Sequence, residues 1–142
     1  MNTGVFDKKF LQISTDNARM DLNAIHAFLQ GTYWGKNRSL DAMKKAMEHS
    51  LCFGLFDAEK QIGFARAVSD YTFFTYIFDV YILDEYQGQG LGKWFCQSIA
   101  DDPRIRETVL VLASKEADFY KKLGFCPHAN PERILVRPCP GL

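Results

Sequence analysis

The chain has 142 residues, with 17 basic and 17 acidic side chains in balance and 47% hydrophobic content. This fits one domain over residues 1–142 with a real core, and the absence of a basic block or a membrane-length apolar run speaks against nucleic-acid and membrane partners. The N-terminus lacks the apolar stretch of a secretory signal, and Cys52, Cys96, Cys126 and Cys139 show no C-x-x-C pairing, so a cytoplasmic protein with buried, reduced thiols and no metal site is expected.

In chain order, Phe10-Leu11-Gln12-Ile13 is a short first strand. Leu22, Ile25 and Leu29 share a helical face, with Asp21 placed to complement the helix dipole. Gly31-Thr32-Tyr33-Trp34-Gly35 breaks that helix, and Ser39 is a suitable N-cap for a second one carrying Leu40, Met43 and Met47. Residues 51–56 and 61–68 are apolar strands that a turn at 57–60 joins as a hairpin. Ser69-Asp70-Tyr71 leads into a long β-type run from Thr72 to Leu83. After a glycine-rich turn, Leu91, Trp94, Phe95, Ser98 and Ile99 mark the inner face of a helix that Pro103 closes. Thr108–Ala113 is a continuous apolar run of the kind found in fully buried strands. A short helix over 117–123 ends at Gly124, which suits a helix C-cap. Residues 133–136 form a last candidate strand before Pro138 and Pro140, and so short a tail leaves a closing hairpin incomplete.

The turn Tyr86-Gln87-Gly88-Gln89-Gly90-Leu91-Gly92 carries the most chemistry. Between a strand and a helix, such a turn presents free backbone N–H groups at the positive end of the helix dipole, which suits a phosphate or pyrophosphate. A Walker A loop would need glycine at Gln87 and a hydroxyl residue at Trp94. A dinucleotide fingerprint starting at Gly88 would need glycine at Lys93. What fits is Gln-x-x-Gly-x-Gly, with Gln87, Gly90 and Gly92. This pattern resembles the pyrophosphate-binding motif of the GNAT-type N-acetyltransferases. Ala117-Asp118-Phe119-Tyr120-Lys121-Lys122-Leu123-Gly124-Phe125 resembles a second signature of that superfamily. The likeness covers residues 51–126 well and the N-terminal third loosely.

The resemblance implies an α/β fold with a mixed, mostly antiparallel sheet of about six to seven strands, splayed centrally to hold acetyl-CoA and flanked by about four helices. It implies acetyl transfer from acetyl-CoA to a primary amine, small molecule or peptide, directly within a ternary complex and with coenzyme A as product. A catalytically silent acyl-CoA-binding regulatory module is the alternative. Carried over, the donor's arm falls on the backbone of Val80, Tyr81 and Ile82, and its pyrophosphate on Gln87, Gly88, Gln89, Gly90, Leu91, Gly92 and Lys93. Lys93 is equally a solvated surface lysine. The family's general acid falls on Tyr120, whose bland role is that of a core tyrosine.

An amine near pKa 10.4 must lose a proton before it attacks, so a base or a desolvating site is needed. Asp79, an acid within an apolar strand, is the candidate base. A structural hydrogen bond or an ion pair with Arg66 is its alternative. The acceptor is expected against Tyr33, Trp34, Asp70 and Tyr71, with Phe73 and Phe74 nearby, where an aromatic wall and an acid suit a small apolar or aromatic amine. Alternatively these aromatics pack the core and the interface of a homodimer.

Overall fold

The computed structural model describes residues 10–140. Strand β1 (Leu11–Ser14) is followed by helices α1 (Leu22–Gln30) and α2 (Leu40–Glu48). Then come β2 (Leu51–Asp57), β3 (Lys60–Ser69), β4 (Phe74–Ile82), α3 (Leu91–Ala100), β5 (Val109–Val111) and α4 (Ala117–Lys121). The strands form one sheet in the order β1-β2-β3-β4-β5. Its first three pairings are antiparallel and β4 with β5 is parallel, the arrangement a strand–helix–strand crossover through α3 produces.

The helices begin where their capping residues stand. Asp21 Oδ1 accepts from the Ala24 N–H at 3.0 Å, and Ser39 Oγ accepts from the Ala42 N–H at 3.1 Å. Each bond satisfies a first-turn donor that the helix leaves open. Ile25 and Leu29 of α1 and Met43 and Met47 of α2 are buried on one face of the sheet with Cys52, Phe64 and Tyr81. On the other face, Leu91, Phe95 and Ile99 of α3 pack on Leu51, Phe53, Leu55, Ile77 and Ile82. Alternation along each strand divides its side chains between these two layers.

The α/β class and the mixed sheet agree with expectation, with differences at the C-terminal end. Five strands form among the described residues, fewer than the expected six to seven. Residues 133–136 are not a strand. Pro131 opens a 3-10 turn over Pro131–Arg133, the Arg133 and Ile134 N–H groups bond back to Asn130 and Pro131, and Ile134, Leu135 and Val136 are exposed. The chain is turning where a strand would have to start. With no neighbour on its outer edge among the described residues, β5 is short and Val109 is 64% exposed, so it is an edge strand and not the fully buried one its composition suggests. The buried face of α3 uses Cys96, while Trp94 is exposed. Of the four cysteines, Cys52 and Cys96 are buried, and Cys126 and Cys139 are exposed.

Candidate active site

Strands β4 and β5 pair only from Phe74 to Tyr76 against Val109 to Val111. Beyond that point β4 runs on to Ile82 while β5 has ended, so the edge of β4 that faced β5 has no further strand partner among the described residues. Such an edge offers N–H and C=O groups to an extended ligand. Val80, Tyr81 and Ile82 stand on this stretch. The Ile82 carbonyl is already engaged, accepting from the Gln87 side-chain amide at 2.8 Å.

The glycine-rich turn follows at once, after a 3-10 turn over Asp84–Tyr86. The Gln87 amide also donates to Asp84 Oδ1 at 3.2 Å, so its side chain braces the turn from within. Gly88 and Gly90 have φ of +81° and +78°, and a Cβ at either would meet nothing within 4 Å. Glycine is required there by the left-handed backbone, and the space above the turn is open. Gly90 is the N-cap of α3 and provides no side-chain cap, and the first turn of α3 contains no acidic residue. Lys93 sits in that first turn, where the dipole disfavours a cation. A positive helix end that is uncapped, open and flanked by a lysine has the chemistry to take an anion. A Cβ at Gly92 would lie 3.7 Å from the Phe119 ring, which ties the turn to α4.

Tyr120 stands beside the widening between the strands, lining a narrow crevice with Ile77 and Val80 of β4, Cys96 of α3 and Leu112. Its rings of contact are Phe119 at 5.0 Å and Phe125 at 5.8 Å. The Tyr120 carbonyl accepts from the Phe125 N–H, the Lys121 carbonyl accepts from the Gly124 N–H, and Gly124 has φ of 91°. These paired bonds are the glycine C-cap expected from the sequence, and they fix the tyrosine at the last helical turn. Burial, and then the neighbouring Cys96 thiol, raise the Tyr120 hydroxyl well above the usual phenol range, so it is held protonated. Burial pushes the Cys96 thiol up to about 11. A groove of about 790 Å³ between β5, α4 and residues 126–129 adjoins this crevice, with Leu112, Tyr120 and Phe125 common to both. It contains no residue of the glycine-rich turn.

Asp79 does not stand as a free base. Its Oδ2 lies 3.0 Å from Arg66 Nε and its Oδ1 2.7 Å from Arg38 Nη1, and its side chain has 0% exposure. With both oxygens engaged and no solvent contact, it offers an incoming amine no path. The ion pair with Arg66 was foreseeable, since a buried acid in a strand needs a cation. The second partner was not, because nothing in residues 36–38 distinguishes Arg38 from a solvated loop arginine.

The four residues expected around the acceptor do not come together. Tyr33 and Trp34 pack edge to face at 5.1 Å in the loop between α1 and α2, and the Lys115 ammonium lies 4.2 Å from the Tyr33 ring centre. Lys115 follows β5, so this pair faces the end at which β4 and β5 part. Asp70 and Tyr71 precede β4 and lie at its opposite end. There Asp70 Oδ1 accepts from the N–H groups of Thr72, Phe73 and Phe74, which makes it the organiser of the β3–β4 loop. Tyr76 and Phe78, stacked at 4.3 Å, are the aromatics of β4 on the stretch that approaches the splay.

A family model described as an acetyltransferase (GNAT) domain matches residues 48–127. A Gibberella zeae protein provisionally named an acetyltransferase is 32% identical over 136 residues, covering 79% of this chain and 77% of that one. GCN5-related N-acetyltransferase 2 (chloroplastic) of Arabidopsis thaliana is 43% identical over 86 residues, which are 55% of this chain and 33% of that protein. A solved GNAT-family structure from Xanthomonas campestris superimposes with a TM-score of 0.86 at 36% identity, covering 93% of this chain and 95% of that one. Rv2747 of Mycobacterium tuberculosis, solved with CoA and NLQ, shares the fold at a TM-score of 0.65 and 18% identity, covering 82% and 72%.

Proposed function

The chain belongs to the GNAT acetyltransferase family, and we propose that it moves an acetyl group from acetyl-CoA to a primary amine, of a small molecule or a peptide, by direct transfer in a ternary complex. The observation that carries this reading is the uncapped N-terminus of α3 with its two left-handed glycines, set directly beside the unpaired edge of β4. A long donor with a pyrophosphate at one end and an extended amide-bearing arm fits both features at once. The CoA held by Rv2747, on the same fold, supports the choice of donor.

Acetyl-CoA supplies a thioester that an amine can attack. The backbone of Gly88, Gln89, Gly90, Leu91, Gly92 and Lys93 would hold the pyrophosphate, with Gln87 shaping the turn from inside. Val80, Tyr81 and Ile82 would pair with the arm through main-chain groups, and a preorganised N–H on this edge would stabilise charge on the carbonyl oxygen. Tyr120, held protonated beside the splay, would donate to the departing sulfur. With Asp79 engaged by two guanidinium groups, the proton of the acceptor passes to solvent water in this reading.

Calorimetric titration with acetyl-CoA, with ATP and NAD as controls, tests the donor site. Saturable binding of acetyl-CoA alone is the expected result, followed by thiol release when amines are added. Binding without thiol release across a broad amine panel would favour the silent acyl-CoA module, and no binding would remove the basis of both readings.

A further inference from the structure

Asp79 sits where the ladder between β3 and β4 breaks. Arg66 faces Phe78 and Phe64 faces Tyr81, so Ala65 alone stands opposite Asp79 and Val80. This is a β-bulge, and Asp79 takes φ of 59°, a left-handed conformation that such a bulge ordinarily gives to glycine. Its carboxylate is gripped from two separate elements. Arg66 belongs to β3, donates to the Ser50 hydroxyl at 3.2 Å and lies 4.6 Å over the Phe78 ring. Arg38 belongs to the loop between α1 and α2, and its carbonyl accepts from the Gln30 amide and contacts His26 Nε2, each at 2.8 Å. The cluster therefore ties together the bulge on β4 and the loop that carries Tyr33 and Trp34. Removing its single acid would leave two guanidinium groups crowded together without a counter-charge.

We propose that Asp79 is a positioning residue whose two-arginine clamp couples the donor edge of β4 to the acceptor-side loop. The inference rests on the acetyl-transfer reading for its functional meaning. Through Asp79, a donor that settles on the β4 edge fixes the bulge, the bulge fixes Arg38, and Arg38 fixes the loop. By reciprocity, an acceptor held by that loop tightens the donor by the same factor.

Hydrogen exchange of the full chain tests the clamp without requiring activity. Asp79→Asn and Arg38→Met are both expected to speed exchange about tenfold or more in residues 31–39 and also in residues 77–82. Arg38→Met leaves Asp79 paired with Arg66, so it carries the test if Asp79→Asn does not fold. Faster exchange in the loop alone, with residues 77–82 unchanged, would overturn the coupling. In steady-state assays Arg38→Met should raise the acceptor KM about tenfold, with partial recovery in Arg38→Lys. Loss of turnover only at low pH in Asp79→Asn, with exchange unchanged in both segments, would make Asp79 a base and sink the proposal. If the wild-type protein fails to bind acetyl-CoA, the functional reading falls, while the exchange result still decides whether the clamp exists.

Discussion

Tyr120 and Cys96 lie together at the crevice beside β4 and have opposite consequences for chemistry. Burial keeps both protonated, and the Cys96 thiol, pushed up to about 11, is a poor nucleophile at neutral pH. That argues against an acetyl-cysteine intermediate and for direct attack by the amine. Tyr120, held as the neutral phenol, is a proton donor that remains loaded across the neutral range. Tyr120→Phe is expected to lower kcat about a hundredfold, with the acetyl-CoA Kd changed by less than about twofold. Thiol-release kinetics and calorimetry on the same preparation measure the two quantities. An unchanged kcat between pH 6 and 9, roughly the range in which a neutral acid should matter, would take Tyr120 out of the mechanism. The sequence located this tyrosine because its motif is local, a helix end closed by glycine. For Asp79 it left a base role and an ion pair with Arg66 side by side, because the fate of a carboxylate depends on partners such as Arg38 that its neighbours in sequence do not disclose.

Among the elements, the β3–β4 loop illustrates how a short polar residue sets a boundary. The apolar run suggests a strand from Thr72, yet β4 begins at Phe74. The reason is Asp70, whose carboxylate takes the N–H groups of Thr72 and Phe73, keeping those two residues in the loop, and also that of Phe74, the first residue of the strand. The same bonds, that of Phe74 foremost, hold the Asp70 carboxyl below its usual range. A carboxyl depressed in the folded state contributes stability in full above the unfolded value of about 3.9, and loses it as the pH falls through the lower folded value. Asp70→Ala should therefore lower Tm at pH 7 and flatten the loss of Tm below about pH 4. Thermal melts across that range check the sign, and identical acid dependence in the two proteins would refute the assignment. Asp21 and Ser39, by contrast, cap the helices that the sequence predicts for them, because capping needs only the residue and the turn that follows it.

For the molecule as a whole, the sheet separates two apolar layers, with α1 and α2 on one face and α3 on the other. The proposed donor site lies between β4 and β5, where the sheet itself is not closed. A ligand that bridges this opening should stabilise the fold beyond its local contacts, since it binds the native state alone. At about 100 times its Kd, acetyl-CoA is expected to add about 2.7 kcal/mol. For a domain of this size that corresponds to a rise in Tm of about 6–11 °C. Differential scanning calorimetry with and without acetyl-CoA measures the shift, and a Tm that does not move at saturating ligand would argue against a site spanning the splay.

Features whose causes lie within a few residues are legible in the sequence alone. The turn from Gln87 to Gly92, the caps at Ser39 and Gly124, and the order of strand, turn and helix follow from local backbone preferences and hydrophobic period. The tertiary structure decided what depends on which distant elements meet. Arg38 and Asp79 are 41 residues apart and meet in one ion pair. Tyr33 meets Lys115 across the end of the sheet, while Asp70 and Tyr71 are carried to the other end of β4. Residues 133–136 have strand-like composition, but Pro131 turns the chain and the outer edge of β5 stays unpaired among the described residues. Register and element packing fix such contacts through many weak interactions at once, and a local segment encodes only its own share of them.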